Sequence, residues 1–294
     1  MEPSSESSRR EVELPTHDAW TFDDSYPVTA SSRTRVIALA GAPNCGKTTL
    51  IASLLHRFMR GPFAGFHFAG SRTLKGFDQR CYLARTVANA AEADTPRTSQ
   101  GTARNLLHLR LRSVEQGEPR DILFLDVSGE DFREATKSLA EAKRLTYLRR
   151  ADRLVILLDG ARLADNSSRH LGTHNATMLL QSLCDASQVH SGSRVHLVVT
   201  KWDEVATCGS RAETEEFVDD ATSRMVLRFG PRVREFTAHK VAARAKDLDN
   251  FPLAHGMEDL LARWAEDVAG VMPVRPMPHA PPSCEFDRIA LRTV

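Results

Sequence analysis

The chain has 294 residues, 41% of them hydrophobic, and its 39 Lys and Arg against 38 Asp and Glu leave a formal net charge of +1. That length suffices for a sizeable core, and the balanced charge gives no electrostatic footing for general nucleic-acid binding. Cys45, Cys81, Cys184, Cys208 and Cys284 are scattered with no C-x-x-C pair, so neither a disulfide framework nor a zinc site is expected, and a reduced, cytoplasmic setting fits best.

Residues 1–33 are polar, rich in Ser, Glu and Asp, and broken by Pro3, Pro15 and Pro27. They read as a largely disordered tail without a signal peptide. Within it Trp20, Phe22 and Tyr26 would either pack locally or dock onto something. No run approaches membrane-spanning length.

From Thr34 strand and helix alternate. Arg35 to Ala40 is a short apolar run, readable as a buried parallel strand. Gly41-Ala42-Pro43-Asn44-Cys45-Gly46-Lys47-Thr48 then fits G-x-x-x-x-G-K-[ST], and Thr48 to Phe58 reads as a helix closed by Gly61-Pro62. In that setting the glycines let backbone N–H groups turn onto phosphate oxygens at the positive end of a new helix. Lys47 would reach the β- and γ-phosphates and the Thr48 hydroxyl would hold Mg²⁺, with Gly41, Pro43, Asn44, Cys45, Gly46 and Thr49 completing the cradle. Cys45, at a helix N-terminus, would carry a lowered pKa or simply fill space.

A connection over roughly 61–101 follows, long enough to suggest a function. It holds a short extended piece at 65–69, helical spacing from Leu74 to Ala91, and turn chemistry over 94–102. A threonine capping the metal would be Thr95, Thr98 or Thr102. Thr98 is favoured, because Arg97-Thr98 sits in a turn just ahead of the next strand. Arg97 or Arg104 would act as an internal arginine finger, or remain a solvated loop residue.

Asn105 to Arg112 alternates as a half-exposed strand, and Asp121 to Asp126 reads as a buried one. Together they predict an antiparallel edge hairpin on a mainly parallel sheet. Asp126-Val127-Ser128-Gly129 is D-x-x-G at the end of that buried strand. Asp126 would hold Mg²⁺ through water, and the Gly129 N–H would meet a γ-phosphate, so the next segment would order with nucleotide state. Phe132 to Arg149 reads as one amphipathic helix, whose basic face would be solvated or meet a partner.

Arg153 to Asp159 is another buried strand, followed by a helix near 177–186 and a strand at 194–199. That strand runs into Thr200-Lys201-Trp202-Asp203, which has the form [NT]-K-x-D. The Asp203 carboxylate would accept from guanine N1–H and N2–H₂, donors that adenine lacks, while the Lys201 stem lies over the base. Thr200 opens this turn. A helix over 212–229, a last strand at 236–241 and a helix over 257–268 complete the pattern. Ala242 and Ala243 follow the last strand, either as a turn whose backbone contacts guanine or as a plain strand end. A Pro-rich tail begins at 271.

With these motifs in order, the chain resembles the TRAFAC branch of P-loop GTPases from about Thr34 to Val268, and its G-x-P-N-x-G-K-T resembles Era-like members. Gly70-Ser71-Arg72-Thr73-Leu74, Asp126 to Glu130, Leu158 to Leu163 and Thr200 to Asp203 together resemble the bacterial double-GTPase families associated with conflict systems. The resemblance implies a three-layer α/β GTPase domain over 34–270 that binds GTP or GDP with Mg²⁺. It also implies a switch acting on a protein effector or a second GTPase through 94–104 and 127–135. Two departures bear on hydrolysis. Pro43 and Glu130 stand where Ras-like proteins carry glycine and a water-positioning glutamine. Glu130 would still orient water, but its charge beside the γ-phosphate predicts slow or partner-stimulated turnover. The alternatives are a GTP-gated binding module with negligible hydrolysis and, further off, an ATP-using P-loop ATPase or kinase.

Overall fold

The computed structural model describes residues 18–80, 105–115 and 117–266. Four apolar runs form the centre of its sheet: β1 (Thr34–Ala40), β4 (Arg120–Asp126), β5 (Arg153–Asp159) and β6 (Arg194–Thr200). They are parallel and buried on both faces, which is why they read as continuous rather than alternating hydrophobic stretches. β2 (Phe66–Gly70), β3 (Asn105–Ser113) and β7 (Glu235–Lys240) complete seven strands in the order β2-β3-β4-β1-β5-β6-β7. β3 runs antiparallel to both of its neighbours, as the hairpin reading expects, and β2 from the long connection adds an outer strand beyond it.

The period-2 geometry of β1 sorts its side chains onto two cores. Ala38 and Ala40 face a cluster with Phe132, Leu148, Leu180, Leu183 and Phe229. That cluster gathers α4 (Gly129–Lys137), α5 (Leu139–Arg144), α7 (Arg169–Asp185) and α9 (Arg211–Phe229). Ile37 and Leu39 face the other side, with Leu50, Leu54, Phe124 and Trp264. There α2 (Lys47–Phe58) and α10 (Glu258–Ala265) cover the sheet. The result is the three-layer α/β fold. Short helices α1 (Tyr26–Thr29), α6 (Gly160–Ala164) and α8 (Trp202–Thr207) join it, as does α3, helical over 74–80. No helix among the described residues is long and apolar enough to cross a membrane.

Three expectations need correction. The single helix over 132–149 is broken at Ser138, whose φ of −144° and ψ of 128° are extended; α5 and a 3₁₀ turn (Thr146–Arg150) follow. The helix expected near 177 begins at Arg169, its first two turns being too polar to show an apolar stripe. The boundary at residue 33 also falls inside packed structure. Trp20 exchanges two backbone hydrogen bonds with Leu106 on β3 (2.9 and 2.8 Å) and stacks on His108 at 5.3 Å. Residues 1–17 and 267–294, with the whole of the Pro-rich tail reading, lie outside the described residues, as do 81–104 and 116.

Candidate nucleotide site

Because β1, β4, β5 and β6 are parallel, their C-terminal ends open on one edge of the sheet, where ligands of open α/β folds bind. The sequence motifs all follow those ends. After β1 the backbone turns through positive φ at Asn44 (64°) and Gly46 (93°), and α2 starts at Lys47. Gly46 supplies the conformation without side-chain strain. Gly41 is required by space, since a Cβ there would lie 2.7 Å from the Cys45 sulfur. Lys47 is buried, and its ammonium donates to the carbonyls of Gly41 (2.9 Å) and Ala42 (3.0 Å). It is curled over the loop's own carbonyls, on the concave side where phosphate oxygens would replace them. Pro43, Thr48 and Thr49 are half-buried and Asn44 is exposed. Cys45 is buried, and that burial, outweighing the nearby Lys47, pushes its thiol above the ordinary range. It fills space and is not an activated thiolate.

The D-x-x-G segment lies directly against this loop. A Cβ on Gly129 would fall 2.6 Å from the Pro43 nitrogen and 2.8 Å from its Cα, so only glycine fits. Ser128 caps α4 by accepting from the Glu130 N–H at 3.3 Å. Glu130 is held by Arg133 at 3.2 Å. Asp126 ends β4 with its side chain only 2% exposed. Its Oδ2 accepts from Arg80 Nε (3.1 Å) and Nη2 (3.0 Å), while its buried Oδ1 has no hydrogen-bond partner among the described residues.

These residues fit Mg²⁺. The ion takes hard oxygen ligands and usually needs only one or two from protein when phosphates supply the rest. The orphaned Oδ1 of Asp126 and the Thr48 hydroxyl are of that kind. Among the described residues no cluster of three or more His, Cys, Asp or Glu could hold a metal by itself. Thr98, with Thr95, Thr102, Arg97 and Arg104, lies outside the described residues.

The turn after β6 is tied to the phosphate loop by one side chain. The Thr200 hydroxyl is shared between the carbonyls of Cys45 (2.7 Å) and Leu158 (3.0 Å), tying the ends of β5 and β6 to the phosphate loop. Lys201 adopts a left-handed φ of 49°, and its ammonium pairs with Asp159 at 2.9 Å, which leaves the aliphatic stem stretched across the edge. Asp203 is buried in the first turn of α8 and accepts from the Lys246 N–H at 3.4 Å. Ala242 and Ala243 are buried after the last strand. The Ala242 N–H donates to His255 O and the Ala243 carbonyl accepts from Ala254 N, each at 3.0 Å. The backbone N–H that reaches the Asp203 carboxylate is that of Lys246, three to four residues beyond Ala242 and Ala243.

Arg80, Asp159 and Lys246 are the site residues that sequence reasoning missed. Asp159 had a signal, an acid at the end of a buried strand that also caps α6 through Ala161 N at 3.2 Å. Gly160 beside it is needed because a Cβ would overlap the Thr200 carbonyl. Arg80 follows the fully buried Phe77 by one turn, and nothing local names a partner 46 residues away.

Among solved structures, the chain is similar to one from the signal recognition particle receptor SRb-GTP/SRX complex of Chaetomium thermophilum. Identity is 17%, the alignment covers 78% of this chain and 97% of that one, and the TM-score is 0.43. No curated protein matches the sequence. The family model described as Double-GTPase 2 (DO-GTPase2) matches residues 35–265, from the strand before the phosphate loop to the last described helix. That match takes in the phosphate loop, the D-x-x-G turn and the T-K-x-D turn: the chain belongs to the Double-GTPase 2 family of guanine-nucleotide-binding P-loop proteins.

Proposed function

We propose that the protein binds GTP and GDP with Mg²⁺ at this edge and hydrolyses GTP slowly, passing nucleotide state to a protein effector or second GTPase. The observation that carries the reading is the Thr200 hydroxyl bridging Cys45 and Leu158. It holds the lysine-bearing loop and the carboxylate-bearing turn as one unit facing one ligand. Lys47 releases its loop carbonyls and stabilises charge on the transferred phosphoryl group; Thr48 and Asp126 hold the metal, which supplies charge neutralisation between the phosphates. Asp203 accepts from the guanine N1–H and N2–H₂ pair, and adenine would leave that buried carboxylate without donors. Glu130 orients water from the first turn of α4, with Arg133 offsetting part of its charge. The segment 127–135 carries the output, and the setting is cytoplasmic.

Competition of GTP and ATP against a fluorescent guanine nucleotide tests the binding half. GTP should win by orders of magnitude, and parity would remove the reading. Single-turnover phosphate release tests the other half, because release no faster than from free GTP leaves a GTP-gated binding module. The ion-paired carboxylate at Glu130 in place of a neutral amide favours that second reading most directly.

A further inference from the structure

Asp126 is already engaged by a cation of this chain's own. Arg80 places Nε and Nη2 on the same carboxylate oxygen at 3.1 and 3.0 Å, and its Nη1 donates to Gly76 O at 3.0 Å, so all three guanidinium nitrogens are committed. The described part of the helix that carries it, 74–80, is packed against the sheet side and the N-terminal segment. Phe77 is fully buried, and Gly76 is pressed so closely on the Asp18 carbonyl that no Cβ fits. The side chain of Arg80, not its helix, is thus the movable part.

Resting on the GTP·Mg²⁺ reading above, we infer that Arg80 and Mg²⁺ compete for Asp126, so that Arg80 is a built-in counter-ion which metal-bound nucleotide must displace or share. A carboxylate with two charge-assisted hydrogen bonds on one oxygen has most of its charge compensated. Its pull on a metal-bound water is weakened while the guanidinium stays, and two cations at one buried carboxylate repel. The remaining oxygen, Oδ1, is buried and has no hydrogen-bond partner among the described residues, so the acid is half-neutralised and half-open. This arrangement sets the magnesium requirement of the site without touching the nucleotide's base or Lys47.

The test is magnesium titration of fluorescent GDP and GTP binding to the full chain, starting from excess EDTA, for wild type, Arg80→Gln and Arg80→Lys. The half-saturating Mg²⁺ concentration should fall on the order of fivefold or more in Arg80→Gln, with magnesium-free affinity within about twofold of wild type. Arg80→Lys, a cation without the fork, should lie between. An unchanged or raised magnesium requirement in Arg80→Gln would overturn the inference; a rise would make Arg80 a residue that positions Asp126 for the metal. Should Arg80→Gln not fold, the wild-type Arg80 Nε–H resonance decides, since it must shift when Mg²⁺ is added to the nucleotide complex and must not shift with magnesium-free nucleotide alone. Wild type that binds no guanine nucleotide defeats the functional reading itself. Binding with unmoved magnesium dependence defeats only this inference.

Discussion

Asp203 and Thr200 sit three residues apart and fail in different ways when changed. Under the proposed function, Asp203→Asn exchanges one of the two acceptor oxygens that would face guanine N1–H and N2–H₂ for a donor. GTP affinity should drop at least about a hundredfold, while xanthine nucleotides, whose 2-oxo group accepts the new amide, should gain; unchanged GTP binding would refute the guanine assignment. Thr200→Val keeps the shape and removes the donor shared by Cys45 O and Leu158 O. Stability should fall by about 1–3 kcal/mol in urea unfolding, and affinity for GTP and ATP should fall together, because the loss is in loop position and not in base chemistry. Lys47→Ala should abolish tight triphosphate binding, and if it does not, the loop is no phosphate site. The chemical identity of these residues was legible in the sequence because each stands in a short motif at the end of an apolar run. Their tethers were not. Cys45 and Thr200 are 155 positions apart, and Arg80 and Asp126 are 46 apart. Periodicity tells which side chains are buried, never which distant group each one meets.

At the scale of elements, the strand–loop–helix unit from β1 to α2 was readable because propensity, glycine placement and burial agree there. The N-terminal segment was misread since its apolar residues are few and unspaced. Trp20, paired with β3, anchors residues 18–33 together with the buried Val28 and the contact of Asp18 with Gly76 of α3. Trp20→Ala should therefore cost about 3–5 kcal/mol and free residues 18–33 to hydrogen exchange before the sheet opens. Strands β6 and β7 hold a second element-scale feature, the chain His196 Nδ1···Thr237 Oγ1 (2.6 Å) and Thr237 Oγ1···His239 Nε2 (2.8 Å). Burial, aided by His239 and Arg153, pushes the His196 pKa down to about 3. In the unfolded chain that imidazole titrates near 6.5. Below this the unfolded state binds a proton that the folded state refuses. Its contribution is complete above about pH 6.5 and declines as pH falls toward 3, by about 2 kcal/mol between pH 7 and pH 5. Urea unfolding at those two pH values should show the loss, and His196→Gln should shrink it. The same loss in the variant would exclude His196 as the source.

For the whole molecule, strand order was foreseeable in outline because parallel strands buried on both faces demand helices on both sides. The extended piece at 65–69 was legible, but its place as an outer strand beside β3 was not, since its five residues are largely exposed and name no neighbour. Guanine nucleotide joins three strand ends under the proposed function, so it should stabilise the fold as a unit. Saturation at a hundred times Kd should add about 2.7 kcal/mol and raise Tm, with ATP giving no comparable shift at equal concentration. Gly129 adds a restriction of another kind. No side chain fits between the start of α4 and the Pro43 backbone, so helix and loop lie at a spacing that only a glycine permits. Gly129→Ala would therefore have to part the helix from the loop, and nucleotide affinity should fall with it even though the added methyl carries no charge and no hydrogen bond.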